Sequence, residues 1–348
     1  MPAVLEAVHK TVAGHHLTAG EAQAALTEIL SGGVSPALVA ALLVALRVKG
    51  EAAEEIVGFA RALREKAVRV ECGDDRRPLV DTCGTGGGAP TFNISTATAF
   101  VVAGAGARVA KHGNRSMTSC CGSADVLEEL GANLNLEPRQ IARCVQEVGI
   151  GFMFAPAHHP AMRHVQPIRA ELKMRTVFNL LGPLANPAGA TVQIVGVAEP
   201  RLVLLIGEVL AQLGIERGLV VHGADGLDEI STTGPTMTAE IHQGRVRQHT
   251  LNPSDFGIER ARLDQLAGGD RRQNAACVRA VLSGGKGAPR DIVLVNAAAT
   301  LRAAGLACDL AACMALARDS IDTGRALQIL DRFIDFARSA AVSSPAAV

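Results

Sequence analysis

From about Arg77 onward the chain alternates short apolar runs with glycine-bearing loops and helix-like segments. The runs fall at 78–81, 108–111, 151–154, 192–197, 218–222 and 291–296, and each reads as a strand. Strands that alternate with helices must bury both faces, which implies a mostly parallel central sheet flanked by helices. With 348 residues, 48% of them hydrophobic, the chain can build a core of that size.

The first seventy or so residues carry a different pattern, of helices only. Thr18 with Glu21 forms a capping box before an apolar-periodic run that stops at Gly32 and Gly33. Ser35 and Pro36 supply an N-cap and a proline at the first helical position, and Gly50 ends that helix. A charged helix over 51–68 follows. The expected fold class is therefore α/β, with a small N-terminal helical domain over 1–72 and a large domain over 73–340. The tail 339–348 reads as disordered.

Composition removes several function classes. The 34 Lys and Arg balance the 34 Asp and Glu, so no global field favours nucleic acid or an anionic membrane. The longest apolar run, 37–46, is too short to cross a bilayer. The Met1 end lacks the ordered regions of a signal peptide, and a cytoplasmic location is expected. The 8 cysteines include no C-x-x-C pair and read as free thiols, with neither disulfides nor zinc.

Polar motifs follow the expected strands, where open parallel sheets hold their ligands. In Gly84-Thr85-Gly86-Gly87-Gly88 the bare backbone can approach phosphate oxygens, and Asn93, Ser95 and Thr96 stand at the start of a helix over 97–103 whose positive end favours an anion. Alone, such a loop can be merely a structural turn. Gly84-x-Gly86-x-x-Ala89 loosely fits a dinucleotide fingerprint, but 104–109 lacks the acidic residue that would follow, and no P-loop is present.

Lys111-His112-Gly113-Asn114-Arg115 follows the second strand and leads to a helix start at Ser123. Lys111 can meet phosphate as a point charge, and Asn114 offers a donor and an acceptor. Arg115 could equally be a surface ion pair, and His112 a brace for the loop. Asp225-Gly226-Leu227-Asp228-Glu229, after the strand ending at His222, crowds carboxylates that a hard cation such as magnesium would join; an exposed acidic turn is the other reading. The segment 155–163, with His158, His159 and Arg163, and the later Arg169 are basic. Arg169 could clamp a carboxylate, and the histidine spacing does not fit zinc. The stretch 179–187 is rich in turns and shows no chemistry of its own.

The ordered motifs GTGGG with TFNIST, KHGNR with GSADVLEELG, GFMFAPAHHPAM, RTVFNLLGPLANPA, DGLDEIS and DIVLVNAAATL resemble the anthranilate phosphoribosyltransferase family over residues 79–300. The resemblance implies transfer of a phosphoribosyl group to anthranilate in tryptophan biosynthesis, a cleft between the two domains, and a homodimer formed through the helical domain. It also implies that a segment near 166–182 returns to that domain.

By resemblance, Gly84, Thr85, Gly87, Gly88, Thr91, Asn93, Ile94, Ser95, Thr96, Lys111, His112, Gly113, Asn114, Arg115, Ser119 and Ser123 hold phosphoribosyl pyrophosphate. Gly84, His112, Asn114, His159 and Arg169 hold anthranilate. Ser95, Asp228 and Glu229 bind magnesium, two ions per site, and Lys111, Arg169, Asp228 and Glu229 act in catalysis. One departure stands out: the family usually carries an aspartate at the fifth loop position, where this chain has Gly88. A pyrimidine nucleoside phosphorylase, the nearest rival, is not expected to carry KHGN together with DGLDE. A non-catalytic nucleic-acid binder would need a basic cleft and eroded motifs.

Overall fold

The computed structural model of the chain describes residues 1–73, 75, 77–116 and 121–342. Four helices open it: α1 (Ala3–Val12), α2 (Ala19–Leu30), α3 (Pro36–Lys49) and α4 (Ala53–Glu65). The Thr18–Glu21 capping box and the Ser35 cap both form, with Pro36 at the start of α3. The charged helix is shorter than its expected span because Ala52 and Lys66 already have cap geometry. Gly58 lets α4 lie close on α2: a Cβ there would sit 2.2 Å from the Ala19 carbonyl.

The remainder alternates as expected through β1 (Leu79–Gly84), α5 (Ile94–Gly104), β2 (Arg108–Gly113), α6 (Ser123–Glu129), α7 (Pro138–Glu147) and β3 (Ile150–Phe154). Short helices α8 (Ala155–His158), α9 (Gln166–Leu172) and α10 (Phe178–Leu181) then lead to β4 (Val192–Gly196), α11 (Leu202–Gln212) and β5 (Arg217–Gly223). A hairpin follows, β6 (Thr236–His242) and β7 (Arg245–Leu251), and the chain closes with α12 (Arg271–Leu282), α13 (Ala288–Ala303), α14 (Leu310–Asp322) and α15 (Arg325–Val342).

The sheet has seven strands in the order β3-β2-β1-β4-β5-β6-β7; β1 to β5 run parallel and the hairpin antiparallel. The chain winds one way from β1 to β2 and β3 and the other way to β4 and β5. That reversal opens a crevice at the carboxyl end of β1. Helix and sheet cores divide into two apolar clusters, one joining α5, α13, α14 and α15 to β1, β2 and β3, the other joining α1–α4 to α11. Ile168, Val177, Phe178 and Leu181, between β3 and β4, pack in the second cluster with the opening helices.

The structure departs from the sequence expectations in several places. The run 291–296 lies within α13, not in a strand. Pro289 and Gly287 start that helix, and residues 292–301 are buried all round, so no polar face marked its period. The β6–β7 hairpin was not anticipated. Its turn places Gln243 and Gly244 at φ 50° and 75°, a two-residue geometry usually announced by Asn-Gly. In addition α5 starts at Ile94, earlier than 97. Of the tail expected to be disordered, residues 339–342 are helical and 343–348 lie outside the described residues. No helix among the described residues is long and apolar enough to cross a membrane.

Candidate active site

A cleft of about 670 Å³ opens at the carboxyl ends of β1, β2 and β5. Its sheet-side wall carries the glycine loop, and Leu63, Arg169 and Phe178 line the side facing the opening helices.

The glycine loop is shaped by contacts that exclude side chains. Thr85 N–H donates to the Gly196 carbonyl at 2.8 Å, and Ala89 N–H to the Gly226 carbonyl at 2.9 Å. Gly86 and Gly87 adopt φ of 64° and 90°, which only glycine enters freely. Asp228 is packed against three glycines: a Cβ on Gly84 would be 3.0 Å from its carboxylate Oδ2, one on Gly88 2.3 Å from its Oδ1, and one on Gly196 1.7 Å from its backbone carbonyl oxygen.

Asp228 and Glu229 are half-buried in the cleft wall. Loss of hydration raises the pKa of Asp228. The same effect, with Asp228 beside it, pushes Glu229 up to about 8, despite the Ser95 N–H it accepts and the charge of Lys111. Two carboxyls held against their own ionisation are what a divalent cation would relieve. Among the described residues no three or more His, Cys, Asp or Glu converge on one metal position. Magnesium, which keeps waters and takes phosphate oxygens, fits so sparse a protein set.

Lys111 is buried at 2% exposure; its ammonium donates to the Thr82 carbonyl and lies 3.4 Å from Ser95 Oγ. Burial lowers its pKa, and Asp81 beneath it is the charge that most opposes this. Asp81 is fully buried and accepts from His112 N–H at 3.2 Å, Asn186 at 2.8 Å and Gln193 at 3.4 Å. Asn186 also donates to the Ala110 carbonyl, so the stretch 179–187 braces the floor of the site.

His112 and His159 meet edge to face at 5.1 Å between ring centroids. Burial holds both neutral, at about 3 and about 4. His112 Nδ1 donates to the Gly182 carbonyl at 3.1 Å, which leaves Nε2 buried and without a partner among the described residues. Arg169 has its guanidinium 5.5 Å from the Phe178 ring centroid and 3.5 Å from Gln166, with no acidic partner among the described residues. At the outer lip the Asn114 carbonyl accepts from Ala124 N–H and Ser123 Oγ, tying that loop to α6.

The expected site residues gather unevenly. Gly84, Thr85, Gly87, Asn93, Ser95, Thr96, Lys111, His112, Gly113, Asn114, Arg115, Ser123, His159, Arg169, Asp228 and Glu229 all line the cleft. Gly88 sits behind Asp228, and the Thr91 carbonyl packs against Gly268. Ile94 is a core residue whose N–H is donated to the Phe92 carbonyl, so its side chain serves packing. Arg115 is ion-paired with Glu128 at 2.6 Å and stacks on Phe154, and the Asn93 amide is engaged by the Cys121 carbonyl and Asn274. Ser119 lies outside the described residues.

Sequence reasoning gave no role to Asp81, Asn186, Asn274 or Arg175. Arg175 belongs to the RTVFN motif and reaches the glycine loop, with Nη2 3.2 Å from the Thr85 carbonyl. The buried polar partners of a loop carry no local signature.

The glycosyl transferase family matches this chain in both parts, its helical bundle domain over residues 5–67 and its a/b domain over 76–327. The anthranilate phosphoribosyltransferase of Rubrobacter xylanophilus is 55% identical over 335 residues, covering 96% of this chain and 97% of its own. The crystal structure of the Thermus thermophilus enzyme superposes with a TM-score of 0.89 at 45% identity, covering 95% of this chain and 99% of that one. That of the Saccharomyces cerevisiae enzyme in complex with PRPP and Mg gives 0.88 at 29% identity, covering 97% and 98%. With both domains matched and relatives more than half identical along almost their whole length, the chain belongs to the anthranilate phosphoribosyltransferase family.

Proposed function

We propose that the cleft transfers the 5-phosphoribosyl group from phosphoribosyl pyrophosphate to the amine of anthranilate, the phosphoribosyl transfer step of tryptophan biosynthesis. The observation that carries this reading is the Asp228–Glu229 pair facing the glycine loop across one cleft, with an unpaired guanidinium, Arg169, on the far wall. Solved structures of the related Saccharomyces cerevisiae enzyme are in complex with PRPP and Mg and with 4-fluoroanthranilate, which supports both substrates and the metal.

In the reaction the C1–O bond to pyrophosphate breaks and a C1–N bond forms with inversion, and the amine gives up one proton. An aromatic amine is already neutral at pH 7, so the protein's task at that end is aim, not deprotonation. Arg169 grips the anthranilate carboxylate, with His112, His159, Asn114 and Gly84 around the ring. Ser95, Asp228 and Glu229 hold magnesium, two ions per site, and the metal supplies Lewis-acid neutralisation of the diphosphate charge. Thr85, Gly87, Asn93, Thr96, Lys111 and Ser123 surround the phosphoribosyl pyrophosphate. Proton NMR of the product tests the reading: a β-anomer with one pyrophosphate per anthranilate consumed is expected, and an α-anomer or pyrophosphate release without anthranilate loss would contradict it.

Arg169→Ala is expected to raise KM for anthranilate ~10–100-fold, the worth of a charge-assisted hydrogen bond, with kcat changed little. Initial rates at varied anthranilate check this, and an unchanged KM removes the clamp.

The same reading divides the chain into a helical domain, 1–72 with 166–182, and an α/β domain, 73–340. Ile168, Val177 and Phe178 in one apolar core with α1–α4 support it. A homodimer through the helical domain is supported by the apolar outer side of α3, where Val44 and Val48 are 36% and 81% exposed, with Val12 71% exposed on α1. Light scattering should give a dimer for the native chain and a monomer for Val44→Glu with Val48→Glu; a monomeric native chain contradicts it. A cytoplasmic location fits thiols such as the exposed, free Cys308. Fractionation of the source cells checks it.

A further inference from the structure

Among the described residues, five cationic side chains line the cleft: Lys111, Arg115, Arg163, Arg169 and Arg175. They are not equally available to a ligand at the glycine loop. Arg115 is neutralised by Glu128. Lys111 lies beneath the loop, with one N–H given to the Thr82 carbonyl and Ser95 Oγ beside another. Arg169 belongs to the opposite wall, beside Phe178.

Arg175 differs from these. Its Nη2 donates to the Thr85 carbonyl at 3.2 Å, and its Nη1 lies 2.0 Å from where a Cβ on Gly87 would be. The guanidinium therefore rests on the backbone of the glycine loop itself. Gly87, at φ 90°, must be glycine for two reasons: the dihedral, and the space Arg175 occupies. Among the described residues Arg175 makes no ion pair, although Asp228 and Glu199 are near enough to sense its charge. A guanidinium has five N–H donors in a planar fork suited to phosphate oxygens, and among the described residues only one is used.

We propose that Arg175 is a catalytic residue for the leaving group, its guanidinium on the glycine loop meeting the charge that develops on pyrophosphate as the C1–O bond breaks. This rests on the transfer reaction proposed above. Arg175 lies between Lys173, which ends α9 at φ 49°, and Val177 and Phe178, which pack in the core of the opening helices.

The test compares Arg175→Ala and Arg175→Lys with the native protein. For Arg175→Ala, kcat should fall ~100-fold, as when one donor to a developing charge is lost. KM for anthranilate should stay within about twofold, because the acceptor is not touched. Guanidinium ion should restore part of the turnover of Arg175→Ala and leave the native enzyme unaffected, and Arg175→Lys should retain an intermediate rate. A raised anthranilate KM with kcat preserved would assign Arg175 to the acceptor instead. A lowered melting temperature with no rescue would reduce it to a loop brace. Calorimetric titration of magnesium pyrophosphate needs no anthranilate: at least about tenfold weaker binding by Arg175→Ala, a loss of ~1.4 kcal/mol, is expected, and equal binding overturns the inference. If the native protein consumed no anthranilate, the transfer reading would fail while this titration still decided the role of Arg175.

Discussion

Replacing Asp228 and Glu229 together by alanine is expected to abolish magnesium-dependent turnover, a loss of ~1,000-fold or more, while leaving the protein folded. Both carboxyls face the glycine loop from the turn after β5, and both are pushed toward their neutral forms by loss of hydration. A carboxyl whose folded pKa lies above its unfolded value destabilises the fold once pH exceeds the unfolded value, because folding must then bind a proton that the unfolded chain has lost, and Glu229 at neutral pH is in that range. Deleting the pair removes that penalty. Melting temperature in the absence of metal should therefore be unchanged or higher even as activity disappears. Steady-state rates across a magnesium titration, with thermal melts alongside, check both halves; full activity in the double variant would remove the metal assignment.

Gly88→Ala is the second substitution with a large expected effect. The added Cβ would stand 2.3 Å from Asp228 Oδ1 and 2.8 Å from its backbone nitrogen, closer than any real contact. On its other side the Asp228 backbone is already packed against Gly196, its carbonyl oxygen filling the place a side chain there would take, 1.7 Å from that Cβ position. The loop must move instead, at a cost of ~1–3 kcal/mol in strain. kcat/KM should fall ~10–100-fold if that strain is expressed at the carboxylate, since each 1.4 kcal/mol is a factor of ten. The same change made on top of Asp228→Ala should cost much less, because the two sites then share no contact. Equal losses in both backgrounds would show that the Gly88–Asp228 contact does not matter.

This contact also gives the departure from the family pattern a physical meaning. Where an aspartate is usual, the carboxylate of Asp228 fills the space in this chain, and only a glycine admits it. The sequence could flag Gly88 as unusual. It could not say what had taken the vacated space, because the partner is 140 residues away and is brought there by the crossover from β1 to β5.

The same limit explains what was legible and what was not. The glycine loop, the KHGNR loop and the DGLDE turn each announce themselves locally, by residues whose backbone or charge has few other uses, and all three meet in one cleft. Helix ends were readable for the same reason, as with Thr18 and Glu21 or Ser35 and Pro36. The run in α13 misled because a helix buried on every side has no polar face to reveal its period. The hairpin was missed because its turn uses Gln243 where asparagine would signal it. Asp81, Asn186 and Asn274 escaped notice as lone polar residues; their meaning lies in partners at sequence distances of 31, 76 and 181. Arg175 stood in a motif that was recognised, yet only the fold reveals that it reaches Thr85 and Gly87.

The central claim is that one cleft joins anthranilate to a phosphoribosyl group. Anthranilate fluoresces, and this chain has 0 Trp and 0 Tyr, so its own emission hardly interferes. Purified protein mixed with anthranilate, phosphoribosyl pyrophosphate and magnesium should remove that fluorescence in a reaction that saturates in both substrates and stops when magnesium is chelated. Stable fluorescence with folded protein, or a loss that proceeds without phosphoribosyl pyrophosphate, would contradict the assignment.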